Sequence, residues 1–211
     1  MSHVVLLGDS IFDNAAYTRG GPDVITQLRG VLPGGWRATL GALDGATTLE
    51  MARQLRAIPS DVSHIVLSVG GNDALGHMEV LDLRVRSSAE VLERLADAAA
   101  EFEGRYRSVV AALVERQVPL TLCTIYNGNF PDADFQRLAS TALTVFNDAI
   151  LRVAFERALT AIDLRLVCNE PVDYANPIEP SSHGGAKIAR AIRTAITLPS
   201  ASVGVARVLI A

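Results

Sequence analysis

Four short polar segments carry groups that could act together on a carbonyl. Gly8-Asp9-Ser10 supplies a hydroxyl, Gly45-Ala46-Thr47 a glycine amide, Gly70-Gly71-Asn72-Asp73 a side-chain amide, and Ser182-His183-Gly184 an imidazole. Acyl transfer needs this inventory: a nucleophile, a base within reach and donors aimed at a developing oxyanion. Each residue also has a plainer reading. Ser10, after an apolar run, could cap a helix. Asn72, after two glycines, could simply form a turn. A single late histidine is usually a surface residue. His3, His64 and His77 show no metal-ligand spacing, and no metal or cofactor is expected.

The elements that would position these groups follow from hydrophobic pattern. Val4 to Leu7 is a continuous apolar run ending at Gly8, the mark of a strand buried on both faces. Trp36–Leu40, His64–Val69, Pro119–Thr124 and Ala161–Leu164 read as four more strands. Helices are expected from Pro22 to about Arg29 and from Thr47 to Ala57. A long helix follows a Ser87/Glu90 capping box, with Leu92, Leu95, Ala99, Phe102, Tyr106, Val109 and Leu113 inward. Gly104 is a possible bend in it. Another helix is capped by Asp134, with Phe135, Leu138, Ala142, Val145, Ala149 and Val153 on its buried side. A last one spans Gly184–Ile196. Strands and helices alternate five times, which predicts a single domain over 1–211, a three-layer α/β sandwich with a mostly parallel five-stranded sheet. Sites in such sheets form beyond the carboxyl ends of the strands, where the four polar segments fall. The Arg165–Ser182 segment reads as a long functional loop. The stretch after Pro199 is left open between an edge strand, a frayed end and a partner contact.

Composition bounds the alternatives. The chain has 211 residues, 49% of them apolar and 20% charged. That excludes a disordered or fibrous chain. Mean hydropathy is +0.27, yet no run approaches the roughly 18 uninterrupted apolar residues of a membrane span. Lys+Arg 19 against Asp+Glu 23 gives a net charge of −4, with no basic cluster, so neither nucleic acid nor an anionic membrane is an expected partner. No G-x-G-x-x-G or Walker loop suggests a nucleotide. Cys123 and Cys168 are too few for a disulfide scaffold and read as two buried thiols. The first residues lack the basic region and length of an export signal, so the expected location is the cytoplasm.

In order and spacing the four segments resemble the blocks of the SGNH hydrolases, also called the GDSL esterase/lipase family, from residue 4 to about 195. The resemblance implies a flavodoxin-like SGNH fold and hydrolysis of small carboxylic esters, with carbohydrate esters and thioesters included. It makes Ser10 the nucleophile, and the Ser10 and Gly45 amides with Asn72 the oxyanion hole. It makes His183 the base. Phe12 occupies the last position of a Gly-x-Ser-x-Gly elbow, which argues against an ordinary α/β-hydrolase. The family usually carries Asp three residues before the histidine. Here that position is Pro180, in Glu179-Pro180-Ser181-Ser182-His183. Removing the orienting carboxylate of a triad costs about 10⁴ in turnover, and a helix N-terminus beside the ring further disfavours imidazolium. Glu179, Asp173 or a backbone carbonyl could orient the ring instead. Asp13, Asn14 and Arg19 follow the nucleophile and are expected to touch substrate. Tyr126, in Tyr126-Asn127-Gly128-Asn129-Phe130, is expected to wall the cleft. That polar and aromatic mix suggests a small polar ester rather than a deep acyl-chain tunnel. A second class of function is a binding protein on the same fold, its catalysis weakened by the missing acid.

Overall fold

The computed structural model describes residues 2–198 and 206–210. Its core is one parallel sheet. β1 (Ser2–Gly8) is flanked by β2 (Trp36–Leu40) and β3 (His64–Ser68). β4 (Leu120–Cys123), β5 (Thr160–Ile162) and β6 (Arg207–Leu209) continue on the β3 side, giving the order β2-β1-β3-β4-β5-β6. Parallel neighbours need long crossovers, and helices supply them. α1 (Val24–Val31), the short α6 (Leu164–Val167) and α7 (Ser182–Thr197) cover one face. α2 (Met51–Arg56), α4 (Ser88–Val114) and α5 (Ala133–Glu156) cover the other. The Val-rich β1 run shows why both faces are apolar. Val4 and Leu6 join the core under α1 and α7, while Val5 and Leu7 join the core under α4 and α5.

The five expected strands all form, and the sheet has a sixth. Residues 207–209 pair with β5 as a parallel edge strand, which decides the role of the described part of the tail. Residues 199–205 lie outside the described residues. α4 runs unbroken through Gly104. The Ser87 side chain makes no capping bond, and Glu90 instead accepts from the backbone N–H of Arg86 at 3.2 Å. The inward face of α4 is Ala98, Phe102, Tyr106, Val109, Val110 and Leu113, while Leu92 points outward. α5 is capped by Asp132, two residues before the expected Asp134. α5 has the length and apolar content of a membrane span. Its apolar face packs on β4, β5 and α4.

Two strand ends are closed by side-chain amides. Gln54 of α2 accepts from Gly8 N at 2.8 Å and donates to Gly8 O at 2.7 Å. Asn147 of α5 does the same to Ile125, at 2.8 Å in both directions. Each amide takes the place of a neighbouring strand where the ladder stops. Both thiols are free and buried, as expected.

Candidate active site

The strand order reverses at β1, so a crevice opens between the carboxyl ends of β1 and β3. The register pairs Gly8 with Ser68 and so sets the turn after β1 beside the turn after β3. Gly8 has φ +133°, and a Cβ there would lie 1.7 Å from Ser68 O. Only glycine fits. The turn that follows is tight: Phe12 N and Asp13 N both donate to Asp9 O at 3.1 Å, and Ile11 N donates to Asp9 Oδ1 at 3.1 Å. This turn presents Ser10, 7% exposed, at the crevice.

β3 ends at Gly70, φ +131°, which opens the short α3 (Gly71–Leu75) carrying Asn72. Asn72 Nδ2 donates to Ala46 O at 3.0 Å. Buried Asp73 accepts from Thr48 N at 3.0 Å and from the Thr48 hydroxyl at 2.5 Å. Asp44 N donates to Asp13 Oδ2 at 3.0 Å, and the Tyr17 hydroxyl donates to Asp44 Oδ2 at 2.7 Å. The loop bearing Gly45 is therefore tied to both the nucleophile turn and α3. Gly45 itself is exposed with φ +76°.

Glu179 arrives on a braced segment. Tyr174 bridges Pro180, Ala175 N donates to Glu179 O at 2.8 Å, and Asn176 Oδ1 accepts from both Ile178 N and Glu179 N at 2.9 Å. The Tyr126 hydroxyl donates to Ile178 O at 2.6 Å. The Glu179 side chain is 6% exposed. It interacts with the Ser10 hydroxyl, and its Oε2 is buried with no hydrogen-bond partner. Burial pushes its pKa up to about 7, with the nearby Asp44 charge adding to the rise and the Ser10 hydroxyl opposing it. Burial likewise pushes Asp9 up to about 7, and the charges of Glu179 and Asp73 add to the rise.

His183 is placed elsewhere. It is the second residue of α7, its side chain is 54% exposed, and Nε2 lies 3.8 Å from Asp173 Oδ1. It does not line the crevice that Ser10 lines. Asp173 is fully buried; its Oδ2 accepts from Asn169 N, Glu170 N and Lys187 Nζ. Glu170, Asp173 and His183 could each offer an atom to a metal ion. The Lys187 ammonium already bonds both carboxylates of that group, at 3.1 and 2.9 Å, which makes it a poor cation site.

Ser10, Asn72, Asp9, Tyr126 and Glu179 line one cavity of about 110 Å³. A single water needs about 10–15 Å³, so the space suits a chain of several carbons. The rest of its wall is mostly apolar. Leu75 and the 3₁₀ turn Met78–Asp82 supply part, and Leu143 and Phe146 of α5 another. The lining is thus more apolar than the polar and aromatic mix at 126–130 led one to expect. The sequence reading also passed over Asp9, although it stands inside the Gly8-Asp9-Ser10 motif. The apolar wall had no motif to announce it. Among the other expected contacts, Asn14 is fully buried with both amide ends used: Nδ2 donates to Pro180 O at 3.1 Å and Oδ1 accepts from Val24 N at 2.9 Å. It braces the two halves of the site and has no group left for substrate. Arg19 is exposed and outside the cavity, and Asp13 holds the Gly45 loop.

The model of the GDSL-like lipase/acylhydrolase family matches residues 6–187. The chain belongs to that family. As a GDSL-family protein it is a hydrolase acting on ester bonds. A comparison with curated protein sequences finds no match. Solved structures share the fold at low identity. An extracellular lipase from Streptomyces rimosus is 18% identical, with TM-score 0.68 over 92% of this chain and 100% of that one. A phospholipase A1 from Streptomyces albidoflavus NA297 is 17% identical, with TM-score 0.67 over 92% and 99%. The acetyl xylan esterase AlAXEase is 19% identical, with TM-score 0.67 over 92% and 99%. The GDSL fold of this chain is thus the same parallel-sheet architecture.

Proposed function

We propose that this GDSL-family hydrolase cleaves carboxylic esters with an apolar acyl chain, using Ser10 as nucleophile. The observation that carries the reading is that Ser10 and Asn72 line the same largely apolar cavity. Ser10 Oγ attacks the ester carbonyl, and the acyl chain lies along the wall formed by Leu75, Met78, Leu143 and Phe146. The oxyanion is held by the backbone N–H of Ser10, the backbone N–H of Gly45 and the Asn72 hydrogen not spent on Ala46 O. The alcohol leaves, and water then hydrolyses the acyl-enzyme. The lipase, phospholipase and acetyl xylan esterase of the same fold support ester hydrolysis and do not share one acyl group by name. Chain length is therefore argued from the cavity.

One observation favours the binding-protein alternative: the His183 ring faces Asp173, outside the cavity that Ser10 lines. A p-nitrophenyl ester series from acetate to octanoate separates the two. The expected result is turnover that is faster on butyrate and longer esters than on acetate, and is abolished in Ser10→Ala. Equal rates for wild type and Ser10→Ala on every ester would move the binding reading forward.

A further inference from the structure

We propose that Glu179, and not His183, is the base that takes the proton of Ser10; this rests on Ser10 being the nucleophile. Three observations converge. The Glu179 carboxylate interacts with the Ser10 hydroxyl and lines the same cavity. It is nine-tenths buried, yet Oε2 has no hydrogen-bond partner. Buried polar atoms are nearly always paired, and an unpaired carboxylate oxygen in the cavity that holds the nucleophile leaves the carboxylate free to take up a proton. The backbone around it is fixed by Asn176, Ala175, Tyr126 and Asn14, so the carboxylate is held in position without any ligand. His183, by contrast, is half exposed and directed at Asp173.

The proton balance closes with this one carboxylate. As Ser10 Oγ forms its bond to the carbonyl carbon, its proton passes to Glu179. The tetrahedral intermediate then breaks its carbon–alkoxide bond, and the Glu179 carboxylic acid protonates the leaving alkoxide. Water attacks the acyl-enzyme and gives its proton to Glu179. The bond to Oγ breaks, and Oγ recovers the proton as the acid product leaves. Ester and water become acid and alcohol, and Glu179 ends ionised as it began.

The surroundings suit a base that works near neutrality. The titratable groups around it are Asp9 from the end of β1, Asp44 from the loop after β2, His77 from the turn after α3 on the wall of the same cavity, and the phenols of Tyr17 and Tyr126. The Asp44 charge adds to the burial that raises the Glu179 carboxyl above its ordinary range.

The test compares Ser10→Ala, Glu179→Gln and His183→Ala in the full chain. Two readouts are used: kcat/KM on p-nitrophenyl butyrate, and the rate of Ser10 labelling by a fluorophosphonate. Glu179→Gln is expected to lose about 10²–10⁴-fold in both, and His183→Ala less than about threefold. Wild type and His183→Ala should share one rising limb of kcat/KM against pH near 7, because the base must be ionised. Thermal melting establishes that Glu179→Gln is folded; should it not fold, the His183→Ala rate and pH limb still decide. A His183→Ala loss as large as that of Glu179→Gln, or disappearance of the limb in His183→Ala, overturns the proposal. Labelling of Ser10 without ester turnover overturns only the choice of ester, and the labelling rates then decide the base. Absence of both in wild type overturns the nucleophile reading and this one with it.

Discussion

Asn72 has one amide hydrogen committed to Ala46 O, and a planar amide then fixes the direction of the other. Replacing Asn72 with Ala should lower kcat by about 10²–10³-fold with a smaller change in KM, because the donor acts on charge that develops only in the transition state. Steady-state kinetics on the preferred p-nitrophenyl ester would check it. Asp9 and Glu179 make a second prediction. Both have folded-state values near 7, above those of the unfolded chain. The folded state therefore binds their protons more tightly, and stability is full below about pH 4 and is lost as pH rises through about 7. Glu179→Gln removes one of these groups, so it should melt higher than wild type at pH 8, with a smaller difference at pH 5. A melting temperature at pH 8 at or below that of wild type would contradict the raised value.

At the scale of elements, the site depends on loops bound to one another rather than on any single loop. Asp73 takes both donors of Thr48 and so holds the Gly45 loop on α3. Asp73→Ala leaves those donors buried and unpaired, a cost of about 1–3 kcal/mol measurable by urea unfolding, and turnover should fall with it. Gly8→Ala is harsher, since the added carbon would overlap Ser68 O between the two central strands; failure to express folded protein is the expected outcome. Strands were legible because β1, β3 and β4 are short runs buried on both faces, and the edge strand Trp36–Leu40 keeps its expected bounds. Helix faces were less so. The spacing of Leu92 fits the apolar stripe of α4, but the start of that helix is solvent-exposed and the burial begins only at Ala98. Ser10 and Asn72 could be found from glycine-flanked motifs at strand ends. The displacement of His183 could not, because Pro180, Ser181 and the cap of α7 decide which residue of the segment turns inward.

For the molecule as a whole, the cavity lies between the sheet, α4, α5 and the 3₁₀ turn at 78–82, so an acyl chain bound as proposed would meet helices remote in sequence from Ser10. Ala142, on the cavity wall from α5, is the place to shorten it. Ala142→Phe should depress kcat/KM on octanoate far more than on acetate; one buried methylene is worth about 0.8 kcal/mol, so several lost methylenes exceed tenfold. The ratio of the two rates is the readout. The same helix carries Asn147, whose amide completes the peptide of Ile125 as Gln54 completes that of Gly8. These two backbone amides are protected by side chains, not by strands. Their deuterium uptake therefore times the lifting of α5 and α2 from the sheet, and can be read without any substrate. Hydrolysis of either side-chain amide to an acid would set a charge against a carbonyl it can no longer donate to, and so would loosen the back of an active-site strand.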